Sequence, residues 1–299
     1  MHTKAYLLLL VTMLFWAGNA VAGKLAVGHV SPMLLAGLRW ALVIPFLAAI
    51  GRRHLARDWP LVKPRLWLLM FLGFLGFTVF SVAMYGALVY TTATNVSIEQ
   101  GGMPVFVFAA SFLLFGTRTR PAQIVGFVLS FAGVVVTAIH GDLGRLFGLD
   151  VNFGDALMML AVVAYGIYTA AIRMRPQVHW MSLMTVLCLG AALSAVPFIA
   201  AEAAAGATIL PDAMGLAIIV YVVVFPSLAG QALYIRGVEL IGANRAGLFI
   251  NVLPLWGVLL SVLILDESFQ PYHALALLLV LGGVLLAEYS GRRAAAAVP

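Results

Sequence analysis

Ten apolar segments of 17 to 23 residues alternate along the chain with short stretches that hold its charged and turn-forming residues. They run Ala5–Gly23, Pro32–Ile50, Leu66–Leu88, Ala93–Phe115, Gln123–Ile139, Asp155–Ile172, Met181–Ala201, Met214–Ile235, Ala246–Leu265 and Tyr272–Tyr289. A bilayer core takes about 20 helical residues, so the pattern predicts ten transmembrane helices, some of them adjusted by tilt. The connections, including Gly51 to Pro64 and Gly141 to Gly154, leave no room for a soluble domain. The first segment has features of a signal peptide, with Lys4 before it and Ala20-Val21-Ala22 near its end. It is read as an uncleaved span, because its length nearly crosses the bilayer and its loss would leave an odd nine spans.

The polar and turn-forming positions recur. Laying Thr92 to Pro121 against the chain 150 residues later pairs Ala93 with Ala243, Pro104 with Pro254, Ser111 with Ser261, Leu113 with Leu263 and Pro121 with Pro271. The match continues to Gly133 with Gly283. Prolines and a glycine in register are harder to obtain by chance than matched Leu or Val, so the chain reads as one unit used twice, residues 1–145 and 146–299. Five spans per unit is an odd number, which turns the second unit upside down in the membrane. The expectation is an all-α integral membrane protein built as two inverted five-helix repeats. Such halves can exchange conformations and open one central site to either face.

Composition agrees with this: 9% of residues are charged and 64% hydrophobic, with a mean hydropathy of +1.08, against about 25% charged in soluble domains. The net charge of +6 comes from basic residues in short clusters between spans, where they act as topology signals and carry no nucleic-acid reading. Fourteen of the seventeen fall in alternate connections: Lys4; Arg52, Arg53, Arg57, Lys63 and Arg65; Arg118 and Arg120; Arg173 and Arg175; Arg236 and Arg245; Arg292 and Arg293. Lys24 and Arg145 fall on the other side and Arg39 inside the second span. The positive-inside rule then places both termini in the cytoplasm.

Polar side chains inside the spans are the candidate site. Glu99 is foremost, since an acid at membrane depth costs about 2.5 to 3.5 kcal/mol on insertion scales and needs a partner or a proton. Thr92, Asn95, Glu99, Gly102 and Phe106 follow helical spacing and share one face. Arg39 lies eight residues after Ser31, about 12 Å down its helix, and Glu99 seven after Thr92, about 10 Å down. The two can meet as an ion pair, structural or part of a substrate or proton path. Trp16, Asn19, Ser81, Tyr85, Tyr165, Tyr168, Ser227, Gln231, Tyr234 and Asn251 also interrupt apolar faces, each readable as a cavity residue or a helix-to-helix contact. They place spans one, three, four, six, eight and nine around a cavity and leave ten peripheral. Pro104 and Pro254 can kink spans four and nine and serve as hinges. Lys24 reads as a snorkelling side chain.

Several chemistries are absent from the sequence. There is no Walker motif, no metal-ligand pattern and no nucleophile elbow. The single cysteine, Cys188, supports no disulfide. The expectation is a carrier with no cofactor, no metal and no catalytic residue, whose partners are a small-molecule substrate and the lipid bilayer.

The segment FWAGNAVAGKLAVGHVSPMLLAGLRW from Phe15 to Trp40, the paired segments with Pro104 and Pro254, LDES from Leu265 to Ser268, and the tenth span around Gly282 resemble the drug/metabolite transporter superfamily. The likeness is to its ten-span EamA-type branch, and within it to the YddG group of aromatic amino acid exporters, also associated with export of methyl viologen. FGTR at Phe115 departs from the acid usual after span four, which Asp266 and Glu267 keep after span nine. The resemblance implies a carrier of the bacterial inner membrane, with a central cavity from spans one to four and six to nine and with five and ten outside it. Aromatic amino acids are the implied cargo. Other metabolites or lipophilic cations are the alternative, and a non-transporting membrane scaffold the reading from a different class.

Overall fold

In hydrocarbon a backbone can bond only to itself, so each apolar run folds as helix. The computed structural model describes residues 2–117, 121–142, 144 and 152–295, and among these no strand occurs. The expected boundary between the halves at 145/146 and the topology residues Arg118, Arg120 and Arg145 lie outside them, as do the side chains of Arg292 and Arg293. Eight helical runs among the described residues are long and apolar enough to cross a membrane, and Pro271–Ala287 is a shorter apolar helix.

One of the eight runs departs from expectation. Pro32–Tyr90 is helical over 59 residues, so Gly51 to Pro64 is not an open loop. Its arginines, leucines and alanines are good helix formers, and Pro64 sits in the first turn of a 3-10 segment, Lys63–Arg65, where its missing N–H is tolerated. Trp40 nevertheless bonds to Ser81 at 3.1 Å, whereas a straight helix would hold them about 60 Å apart. The run therefore folds back on itself at Lys63–Arg65.

The helices are α1 (His2–Leu25), α2 (Pro32–Val62), α3 (Leu66–Gly73), α4 (Phe80–Tyr90), α5 (Ala93–Gln100), α6 (Met103–Phe115) and α7 (Pro121–Ala138). They continue as α8 (Phe153–Ala171), α9 (Trp180–Ala204), α10 (Ala213–Val222), α11 (Gly230–Ile241), α12 (Leu253–Leu265) and α13 (Pro271–Ala295). Phe74–Val79 joins α3 to α4, and Val223–Ala229 joins α10 to α11, each as a π-helical segment. Such wide turns loosen the backbone ladder. The Phe77 carbonyl of the first accepts from Trp40 Nε1, and the Pro226 carbonyl of the second from Trp16 Nε1.

Local features repeat near the sequence offset of 150. The π segments do so, and so do α6 and α12, which end in left-handed residues Gly116 (φ 61°) and Asp266 (φ 53°). Glycine takes that conformation freely, and Asp more readily than most residues. Helices α7 and α13 pack so closely that a Cβ at Gly126 would overlap the Gly283 carbonyl and one at Gly133 the Ala276 carbonyl. The offset carries the first contact onto the second. Large apolar side chains cover the outside, with Trp67 82% and Leu113 80% exposed, as lipid rather than water requires.

The bundle has unlike ends. Arg52, Arg53, Arg57, Lys63, Arg65, Arg173, Arg175, Arg236 and Arg245 collect at one, here the basic end. Asp142, Asp155, Glu202, Asp212, Asp266 and Glu267 collect at the other, the acidic end.

Candidate functional site

A cavity of about 380 Å³ lies among α6, α7, α8, α12 and α13, within the range of about 300 to 1,000 Å³ usual for small-molecule sites. Its deep part is bordered by Gln100, Gly101 and Tyr165, and it reaches the basic end at Thr117, Gln123 and Arg173. Gly101 and Gly102 separate α5 from α6, and a 3-10 segment, Gly247–Val252, precedes α12. Irregular backbone at membrane depth is tolerated where it lines such a space. Pro104 and Pro254 line it too, each in the first turn of the helix after the break, where a missing N–H costs little. They start new helices rather than kinking unbroken ones.

The cavity walls are mainly apolar, with Phe108 and Phe127 prominent, and no Asp or Glu is among the described lining residues. Gln123 and Phe127 of α7 and Leu281 and Val284 of α13 take part, so the fifth and tenth segments are not peripheral to it. An apolar wall facing a cavity has the composition of one facing lipid, and hydropathy alone misses the difference. Of the expected cavity residues, Tyr165 and Asn251 reach this space. Tyr168 stacks behind Tyr165 at 5.4 Å between ring centroids. Gln100 was not singled out from sequence, and Arg173 only as a topology signal.

A second group of expected residues meets around Arg39, which is only 6% exposed. Its Nε donates to Ser227 Oγ at 2.8 Å, and its Nη1 donates to Asn19 Oδ1 at 3.2 Å and Tyr85 Oη at 3.1 Å. Tyr85 Oη in turn donates to Asn19 Oδ1 at 2.9 Å. The guanidinium lies 4.5 Å from the centre of the Trp40 ring, which stacks on Phe77 at 4.3 Å. Ser81 accepts from Trp40 Nε1, so it fixes the stack. Trp16 packs on Tyr234 at 5.2 Å, and Gln231 is partly buried on α11.

The expected ion pair between Arg39 and Glu99 is not formed. Equal depth along two helices leaves their facing undetermined, and the charged group near Glu99 is Asp155 rather than Arg39. Glu99 is fully buried, and neither of its oxygens has a hydrogen-bond partner among the described residues. Asn95, a turn away, belongs to a network of its own, donating to Thr91 and Asp155 while its Oδ1 meets His273 Nε2 at 3.1 Å.

Carboxylates tie the acidic end together. Glu267 accepts from the Ala93 and Thr94 N–H groups at 2.8 Å each, capping α5, and Glu202 accepts from Met33 and Leu34 N–H at the start of α2. Helix N-termini favour such negative charge. Lys24 does not snorkel. Its ammonium donates to the Leu88 and Thr91 carbonyls at the end of α4, where the helix end attracts a cation. Asp212 caps α10, and the Gly215 N–H and then the His29 ring hold its carboxyl below the usual range. At the basic end Asp58 accepts from His179 N–H and Ser182 Oγ at the start of α9. Thr117, in register with Glu267, supplies no such acid. These caps were legible only as short acidic connections next to helix starts.

The EamA-like transporter family model matches residues 3–139 and 152–289. Among relatives, the uncharacterized transporter YetK of Bacillus subtilis is 26% identical over 284 residues, 94% of this chain and 86% of YetK. An uncharacterized transporter of Archaeoglobus fulgidus is 37% identical over 172 residues, 56% of this chain and 57% of that protein. A crystal structure of a protein 23% identical in sequence superposes with a TM-score of 0.64, covering 98% of this chain and 99% of that one, which supports the fold. With a matched span of nearly the whole chain and a small-molecule cavity inside a bundle of membrane-length helices, the chain belongs to the EamA-like transporter family.

Proposed function

We propose that the protein exports amphipathic small molecules, with aromatic amino acids as the leading cargo, across the bacterial inner membrane. In this reading the fold-back of Pro32–Tyr90 and the short helix Pro271–Ala287 bring the spans to ten. Residues 1–145 and 146–299 act as two inverted halves with both termini in the cytoplasm, and they rock about the centre to expose the site to each face in turn. No covalent chemistry and no cofactor is required. The observation that carries the proposal is the cavity, which reaches the basic end while Glu267 and Glu202 tie the acidic end by capping helices. Phe108, Phe127 and Tyr165 offer ring faces for an aromatic cargo. Lipophilic cations are a weaker fit, since no acid is among the described lining residues and Arg173 stands in the wall. Glu99 is a separate candidate for proton coupling. The test is uptake of labelled Phe, Tyr and Trp into proteoliposomes holding the folded protein. Saturable uptake above empty liposomes is expected, and its absence for all three refutes the cargo assignment.

A further inference from the structure

Arg39 carries a charge that no acid among the described residues balances. Its three hydrogen-bond partners, Asn19, Tyr85 and Ser227, are all neutral, and Nη2 bonds to nothing among the described residues. A guanidinium withdrawn from water without a counter-charge is costly in a membrane protein and is normally turned to a functional path. This one is also held rigid. Trp40 supports its face, and oxygens from α1, α4 and the segment before α11 hold its edges. A guanidinium fork fixed in this way matches a carboxylate in two parallel hydrogen bonds and has already lost its rotamer freedom.

The surroundings point the same way. Tyr165, at the deep part of the cavity, lies within electrostatic reach of both Arg39 and Tyr234. From Tyr165 a ladder of rings passes through Tyr168, Phe77 at 5.6 Å from it, and Trp40 to the guanidinium. A molecule that enters past Arg173 therefore meets a positive charge at the mouth and, beyond Tyr165, that of Arg39, with no acid among the described lining residues.

We propose that Arg39 is a carboxylate-binding subsite at the deep end of the transport path, so that the cargo class is aryl carboxylates and amino acids rather than amines. This rests on the transport reading above. As Tyr165 turns aside, the carboxylate takes the Nε and Nη2 edge of Arg39 and displaces Ser227, while the ring stays among the aromatic side chains. Ser227 belongs to the π segment between α10 and α11, so occupancy releases a link between the first half of the chain and the second.

The test uses the full protein in detergent at neutral pH and follows its thermal unfolding midpoint with three probes: 3-phenylpropanoate, L-phenylalanine and 2-phenylethylamine. The two carboxylates raise the midpoint and the amine does not, and Arg39→Gln loses the rise. An equal rise with the amine, no rise with any probe, or a rise that survives in Arg39→Gln overturns the subsite. A purely structural Arg39 would lower the unliganded midpoint of the variant and leave probe selectivity in place. Should the variant not fold, selectivity of the wild-type protein decides, together with Ser227→Ala. That change frees Nε and is expected to keep or tighten carboxylate binding at least to the wild-type level; loss of binding there overturns the proposal. Carboxylate binding without uptake into proteoliposomes removes the transport reading alone, and uptake with equal recognition of the amine removes the subsite alone.

Discussion

Glu99 and Arg39 show what a residue's place in the sequence can and cannot say. Their depth along the helices follows from counting 1.5 Å per residue, and both are indeed buried. Their facing depends on how the two helices are rotated about their axes, which counting residues does not give, so the pair expected from depth is not made. Glu99 has no hydrogen-bond partner among the described residues, and Glu99→Gln removes an acid without breaking any hydrogen bond made among them. The variant is expected to melt at or above the wild-type midpoint. If Glu99 couples transport to protons, uptake in proteoliposomes stops responding to a pH gradient in the variant; an unchanged response removes that role. At the surface, the contact of His29 with Asp212 at 2.8 Å gives a pH dependence of known sign. Asp212 is held below its ordinary range, with the Gly215 N–H the first cause. Its stabilising contribution is complete above about pH 4 and is lost as pH falls through the lower folded-state value. Amide protection at Gly215, corrected for intrinsic exchange, should fall below about pH 4, and Asp212→Asn should abolish the change.

Among the elements, α6 and α12 were the most legible in sequence, because Pro104 and Pro254 and the following Gly116 and Asp266 bracket them in the same register. What the sequence hid is that each begins after a break, and that α7 and α13 complete the cavity wall with residues indistinguishable from lipid-facing ones. The unequal caps at their ends carry a prediction. Glu267 caps α5 at the acidic end, and Thr117 leaves the corresponding place at the basic end without an acid. Thr117→Glu should add a charge-to-helix-end interaction of about 1 kcal/mol, enough to shift the balance between closed and open basic ends about fivefold. Slower labelling of cavity cysteines from that end checks it; unchanged labelling shows that Thr117 is not at a latch. Gly283→Val should overpack against Gly126 and cost about 1 to 3 kcal/mol, read as a lowered melting midpoint.

At the scale of the molecule, hydropathy was enough to read a helical membrane protein, while the number of crossings depended on one fold-back. The two spans read from hydropathy, Pro32–Ile50 and Leu66–Leu88, do return Ser81 to Trp40, but their connection is itself helical, which hydropathy does not reveal. The recurring π segments and the Gly126 and Gly133 contacts are what two related halves would produce. In the proposed mechanism, the cavity at the basic end and the capped acidic end are one state of a two-state carrier. The direct measurement is labelling of Phe108→Cys, in a Cys188→Ala background, with a membrane-impermeant maleimide applied from either side of sealed vesicles. Labelling is expected from the basic face without cargo and from both faces when L-phenylalanine is present. A cysteine that never reacts from the acidic face, under conditions where the protein transports, would contradict it.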